Sequence, residues 1–181
     1  MTNPAPGRLE TVRQFINTYD VEDDRDELET PQALVAWLTE RALISTSIPA
    51  SSEDLATAVA VRESLRALSA ANHGDPLDRD ALENLNRAAT AARLSLRFDE
   101  SGHASLQPDD PGVGGAIGRL LAIVANAMAD GTWSRLKVCR NSECAVAFYD
   151  SARNRSGKWC DMAICGNRMK ARAFRARQTQ Q

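Results

Sequence analysis

Apolar residues recur at helical spacing in five stretches of the chain and at alternating spacing in one. Leu9, Val12, Phe15 and Ile16 form a single stripe, so GRLETVRQFINTYD predicts a first helix. The acidic VEDDRDELE that follows predicts a solvated loop. Thr30 before Pro31 is a helix start, and Leu34, Trp37, Leu38 and Ala42 give the next buried face. SSEDLATAVAVRESLRALSAANHG opens on a Ser/Asp capping signal, carries Leu55, Val59, Arg62, Leu65 and Leu68 on one face, and closes between Asn72 and Gly74. A further helix runs from about Leu77 to Ala92 with Leu82 and Leu85 inward. LSLRF, DESG and HASLQ alternate in steps of two around turn residues, which predicts a β-hairpin from Leu94 to Gln107. GAIGRLLAIVANAMADG returns to helical spacing with an almost continuously apolar middle, so this helix belongs at the centre of the body.

The pattern predicts an α+β fold, mainly helical, and no internal repeat or low-complexity tract interrupts it. At 181 residues and 43% hydrophobic, the chain has room for one ordinary core and a small appendage. No apolar run reaches the eighteen or so residues of a membrane span, and MTNPAPGRLE lacks the basic-then-apolar order of a signal peptide. The expectation is a cytoplasmic protein with no membrane partner.

Charge changes this picture. The net charge is only −2, from 22 basic and 24 acidic residues. Residues 132–181 hold 11 Lys or Arg against 3 Asp or Glu, and residues 1–131 hold the remaining 11 against 21. A tail of +8 behind a body of −10 suggests separate tasks, and predicts a division into a body of residues 1–131 and a module of residues 132–181. The tail is a candidate nucleic-acid surface, from which phosphate would not be repelled as it is from the body.

All four cysteines lie in the basic part, as CRNSEC and CDMAIC: Cys139 and Cys144, fifteen residues, then Cys160 and Cys165. Two equal pairs separated by a segment able to fold back can deliver four thiolates to one Zn2+, which predicts one structural zinc per chain. The commoner spacing has two residues inside each pair, so four requires wider knuckles. Two disulfides or four free thiols are the alternatives, and a reducing cytoplasm disfavours the first. Four thiolates leave no position for water, so the metal would be structural.

After Cys165 the chain reads GNRMKARAFRAR. On a helix Arg168, Arg172 and Arg175 share one cationic face, and Lys170 and Arg177 add to the run. Arg153, Arg155 and Lys158, between the cysteine pairs, are further candidate phosphate contacts. About twelve residues at about 1.5 Å each span about 18 Å, enough to enter a major groove.

Cys165-Gly166-Asn167-Arg168 followed by Met-Lys-Ala-Arg, with Trp159 before the third cysteine and Phe148-Tyr149-Asp150 after the first pair, resembles the CGNR zinc finger. That finger occurs behind an ABATE domain in bacterial stress-induced transcription regulators. The resemblance covers about residues 135–178, and QFINTYD is similar to an ABATE segment written Asp-Phe-hydrophobic-Asn-Thr, with Gln14 in place of the acid. Gly157-Lys158 stands where the family often has two arginines. The resemblance implies a zinc-containing, DNA-binding, stress-responsive regulator whose body senses a small-molecule effector or forms a homodimer. A zinc-stabilised protein-interaction module is the rival reading, its basic helix docking on an acidic surface.

No paired carboxylates and no Ser/His/Asp spacing point to catalysis, and no enzyme is expected. PGVGGAIG does not spell a phosphate loop, and its glycines are expected to serve tight helix packing. His73 and His103 are expected at the surface or in caps, and Trp37 and Trp133 in the core. Trp159 is expected over the zinc knuckle beside Phe148.

Overall fold

The stripe in the first segment is buried at all four positions, Leu9, Val12, Phe15 and Ile16, and forms helix α1 (Leu9–Ile16). The computed structural model describes residues 3–44 and 48–178. The acidic segment after α1 is not wholly a solvated loop. It contains a two-stranded ribbon, β1 (Tyr19–Asp20) and β2 (Arg25–Asp26), turned by Asp24 at a φ of 49°. Two of its residues face inward: Leu28 is buried, and Asp26 accepts two hydrogen bonds from Arg62, at 2.6 and 2.9 Å. Six acidic residues in nine positions masked these two in the sequence.

Helix α2 (Pro31–Glu40) begins as predicted, with the Thr30 hydroxyl accepting from the Ala33 N–H at 3.1 Å. Its buried face is Leu34, Trp37 and Leu38, but Ala42 is exposed. The helix ends at Glu40, and Ala42 adopts a left-handed φ of 53° while the Leu43 N–H bonds back to the Leu38 carbonyl at 2.9 Å. That C-terminal motif swings the chain, so Leu43 and Ile44 enter the core in place of Ala42.

Helix α3 (Ser52–Ala70) starts with a capping box between Ser51 and Asp54 and, after a short turn, ends at Gly74 with a φ of 91°. Its inner face is Ala58, Val61, Arg62, Leu65, Arg66 and Ser69, so two arginines lie within a stripe expected to be chiefly apolar. Val59 is only half-buried. Helix α4 (Arg79–Ala91) is capped by Asp78 and leans on Ala81 and Ala88, with Leu82 and Leu85 half-buried. The predicted hairpin is β3 (Ser95–Phe98) and β4 (Ala104–Gln107), antiparallel, with Leu96 opposite Leu106 and Phe98 opposite Ala104.

Helix α5 (Val113–Ala129) occupies the centre and packs on α1, α3, α4 and β4. A Cβ on Gly118 would lie 2.8 Å from the Ala92 Cβ and 3.0 Å from the Pro108 Cβ, so glycine here permits close approach, as expected. The chain then enters an antiparallel pair, β5 (Leu136–Val138) and β6 (Ala147–Tyr149). Trp133, Leu136 and Ala147 belong to the same apolar cluster as Phe15, Leu65 and Leu120. The terminal helix α6 (Asn167–Gln178) buries no residue. The fold is thus α+β and mainly helical, with one four-cysteine cluster at its end. Among the described residues, no helix is long and apolar enough to cross a membrane.

Candidate metal centre and nucleic-acid interface

The β5–β6 hairpin produces the first cysteine pair. Cys139 follows β5 directly, its N–H bonded to the Val146 carbonyl at 2.9 Å, and residues 140–145 form the turn. Both the Cys144 and Ala145 N–H groups close on the Asn141 carbonyl, at 2.9 and 3.0 Å, and Ala145 takes a φ of 47° to bring the chain back into β6. This is the wider knuckle that four intervening residues require.

The second pair is placed by two local devices. The Arg140 N–H bonds to the Lys158 carbonyl at 2.9 Å, which aligns the approach to Cys160 beside the first knuckle. Asp161 then accepts from the Ala163 and Ile164 N–H groups, at 2.7 and 3.1 Å, starting a wide helical turn, Met162–Gly166, that contains Cys165 and runs on into α6. A Cβ at Gly166 would fall 2.5 Å from the Met162 Sδ and 3.1 Å from the Trp159 Cδ1, so glycine after the fourth cysteine lets Trp159 cover the cluster. Phe148 is buried elsewhere, its ring centroid 6.5 Å from that of His73.

All four Sγ atoms lie within 4.8 Å of one another, with Cys144 to Cys160 at 3.6 Å and Cys160 to Cys165 at 3.7 Å. A disulfide needs about 2.05 Å, whereas a tetrahedron with metal–sulfur bonds of about 2.3 Å has edges of about 3.8 Å. The set therefore fits one structural zinc ion. Its electrostatics point the same way. Hydrogen bonds from the Cys144 and Cys160 thiols hold Cys139 down to about 2, while sharing with Cys139 pushes Cys144 up to about 12 and Cys160 higher still. Sulfurs this close do not all ionise unless a cation sits among them. Asn141 is fully buried and points its amide N–H at the Cys165 Sγ, 3.8 Å away.

The loop between the pairs is organised from Asp150. Lys137 and Asp150 form a buried ion pair at 2.8 Å, and the same carboxylate accepts from the Gly157 N–H at 2.8 Å and the Ala152 N–H at 3.0 Å. Burial opposes its charge, but these partners outweigh burial and hold its pKa below the ordinary value. A Cβ at Gly157 would be 2.7 Å from this carboxylate, so glycine here lets the loop close on Asp150. Arg153, Arg155 and Lys158 are exposed on the loop that results.

On α6 the basic residues divide. Arg168 meets Glu22 of the β1–β2 turn at 2.5 Å, and Arg172 meets Glu143 of the first knuckle and the Asn141 amide oxygen. Lys170 and Arg177 lie roughly 160–180° around the helix from Arg168 and are exposed. The arginine face of Arg168 and Arg172 is thus the one turned towards carboxylates.

The sequence did not single out the residues that tie finger to body. Asn17 uses both ends of its amide as a surrogate strand, donating to the Ala147 carbonyl at 2.9 Å and accepting from the Ala147 N–H at 2.8 Å. The neighbouring Thr18 hydroxyl accepts from Arg62 at 3.3 Å. Arg66 donates to the Ala145 carbonyl at 2.8 Å, and Asn72 to those of Trp133 and Leu136 at 2.9 and 2.8 Å. His73 is not a plain surface or cap residue: its Nε2 is 2.7 Å from the Val138 carbonyl, and burial lowers its pKa. Gln14 bridges Glu10 and Arg41, each at 3.1 Å. The signal available in sequence was the Arg62 and Arg66 spacing, one helical turn apart on a stripe that should be buried.

Helical body and four-cysteine finger together define a zinc-finger protein in which the finger is seated on the body. Residues 10–131 match the family model ABATE, described as "putative stress-induced transcription regulator", and residues 135–178 match the CGNR zinc finger. The chain belongs to the ABATE family and carries a CGNR zinc finger behind that domain. No match was found among curated proteins.

Proposed function

We propose that the protein is a transcription regulator that binds DNA through its zinc module, residues 132–181, and that the ABATE body regulates this binding by taking up an effector. In this reading Cys139, Cys144, Cys160 and Cys165 hold the zinc, and Arg153, Arg155, Lys158, Arg168, Lys170, Arg172, Arg175 and Arg177 form the phosphate- and base-contacting surface. The observation that carries it is α6: five basic residues and no acidic one, on a helix with no buried side chain, anchored at its first turn by the fourth cysteine. Phosphate would replace Glu22 and Glu143 as the partner of Arg168 and Arg172, an exchange of one anion for another that leaves no guanidinium stranded.

Binding of the full chain to specific and random duplexes at several salt concentrations tests this. Arg172→Ala should reduce the salt slope by about one counterion if the contact is to phosphate. If Arg172 reads a guanine edge, the loss should be roughly 1–3 kcal/mol, confined to the preferred sequence and not restored by Arg172→Lys. Should both variants bind like wild type to both duplexes, Arg172 does not contact DNA and the protein-interaction reading takes its place.

A second prediction concerns the exposed Glu22–Arg168 pair. Glu22→Gln should strengthen DNA binding at low salt by roughly 1.4- to 5-fold, the equivalent of about 0.2–1 kcal/mol for an exposed ion pair, and the gain should vanish as salt rises. An unchanged affinity at low salt would show that Glu22 does not compete with DNA.

A further inference from the structure

A cavity of about 630 Å³ lies between the turn entering α1, strand β4 and the C-terminal half of α5. That is within the size range of small-molecule sites, roughly 300–1,000 Å³. Its α5 floor is Ala122, Ile123 and Ala127, all buried, so this side of the cavity is apolar. Two arginines, Arg8 and Arg119, also line the cavity.

Their hydrogen-bonding capacity is largely unspent. Arg119 donates one bond, from Nη1 to the Leu43 carbonyl at 2.9 Å, which fixes the plane of the group. Its remaining N–H groups, and the whole side chain of Arg8, meet no hydrogen-bond or ion-pair partner among the described residues. The cavity's one carboxylate, Asp130, is already engaged. It accepts from the Thr132 N–H at 2.8 Å and the Thr132 hydroxyl at 2.6 Å, bonds that hold its pKa below the ordinary value.

We propose that this cavity binds a small amphipathic organic carboxylate, its apolar part on the α5 floor and its carboxylate held by Arg8 and Arg119. A planar carboxylate matches the guanidinium fork with two parallel bonds. A doubly charged phosphate fits less well, because the Asp130 carboxylate shares the cavity. The site lies where occupancy can be felt by the finger: Thr132 lines it, and the next residue, Trp133, enters the core and leads directly into β5 and Cys139. The inference deepens the effector reading above and rests on it only for its regulatory consequence.

The test uses the zinc-loaded full chain and three probes of equal chain length, octanoate, octanol and octylamine, measured by calorimetry without DNA. Octanoate should bind, and octanol about tenfold more weakly or worse, as expected on losing a charge-assisted bond. Octylamine should not bind. Arg8→Gln and Arg119→Gln should each weaken octanoate by about tenfold while leaving octanol binding unchanged. Arg8 is exposed and unpartnered, so its variant should unfold at the wild-type temperature and separates a lost contact from a lost fold. Equal binding of octanoate and octanol, no binding of either, or wild-type octanoate affinity in both variants overturns the proposal. DNA affinity is then measured with and without saturating octanoate. A change supports the effector role, whereas binding without any change leaves the site standing and removes the effector reading.

Discussion

Replacing Cys160 by Ser should remove the zinc and melt one half of the finger while the other half stays folded. The division follows from what each half rests on. Leu136 and Ala147, from β5 and β6, are fully buried in the body's core, and Asn17, Arg66, Asn72 and His73 bond to the backbone around them. Helix α6 has no buried residue, and its ties to the rest include the Glu22 and Glu143 ion pairs with Arg168 and Arg172 and a long contact from Arg172 to the Asn141 amide oxygen. Exposed pairs contribute about 0–1 kcal/mol each, and an isolated helix of about twelve residues is marginal in water. Structural zinc contributes about 10–16 kcal/mol of binding energy to comparable modules, so the ion dominates the placement of residues 159–178. Metal analysis should find well under one zinc per chain, and amide exchange should lose protection across 159–178 while retaining it at 136–138 and 147–149. A chelator should give the same pattern with the wild-type chain. Persistent protection of α6 in the zinc-free variant would show that the metal does not hold it.

How far the sequence revealed this arrangement depends on the kind of signal. The cysteine cluster was legible because metal ligation leaves its spacing in the chain, and the helices of the body because burial leaves an apolar period. The polar seam between body and finger leaves neither. Asn17 acts as a strand substitute, Arg66 as a donor to three carbonyls, and none of these roles has a periodicity. Ala42 was misplaced because one left-handed residue after α2 shifts the inward register from 42 to 43 and 44. Helical geometry puts Arg168 and Arg172, one turn apart, on a common face of α6. Its surroundings were not legible, because Glu22 is 146 residues away in sequence from Arg168.

Arg66→Met should lower the stability of the whole chain by about 3–5 kcal/mol, the usual cost of breaking a buried charged network from one side. Nη2 of Arg66 donates to the Ile16 carbonyl at 2.7 Å and the Tyr19 carbonyl at 3.1 Å, Nη1 to that of Ala145 at 2.8 Å, and Nε pairs with Glu63 at 3.0 Å. Methionine keeps much of the apolar stem but supplies no donor, so three carbonyls at the meeting point of α1, β1 and the zinc knuckle lose their partner together. The midpoint of thermal unfolding should fall by roughly 6–20 °C for a chain of this size. Arg66→Lys should be intermediate, since one ammonium cannot span the directions that a guanidinium fork serves. Glu63→Gln gives the scale for the exposed end of the network, as that side chain is 44% exposed and should cost about 1 kcal/mol or less. The effect should reach the finger as well, because Ala145 is the left-handed residue between Cys144 and β6 and its carbonyl is held from the body by this one side chain. Zinc release to a competing chelator should therefore accelerate in Arg66→Met and not in Glu63→Gln. A stability loss under about 1 kcal/mol, or equal zinc release in the two variants, would show that Arg66 fills space without joining body to finger.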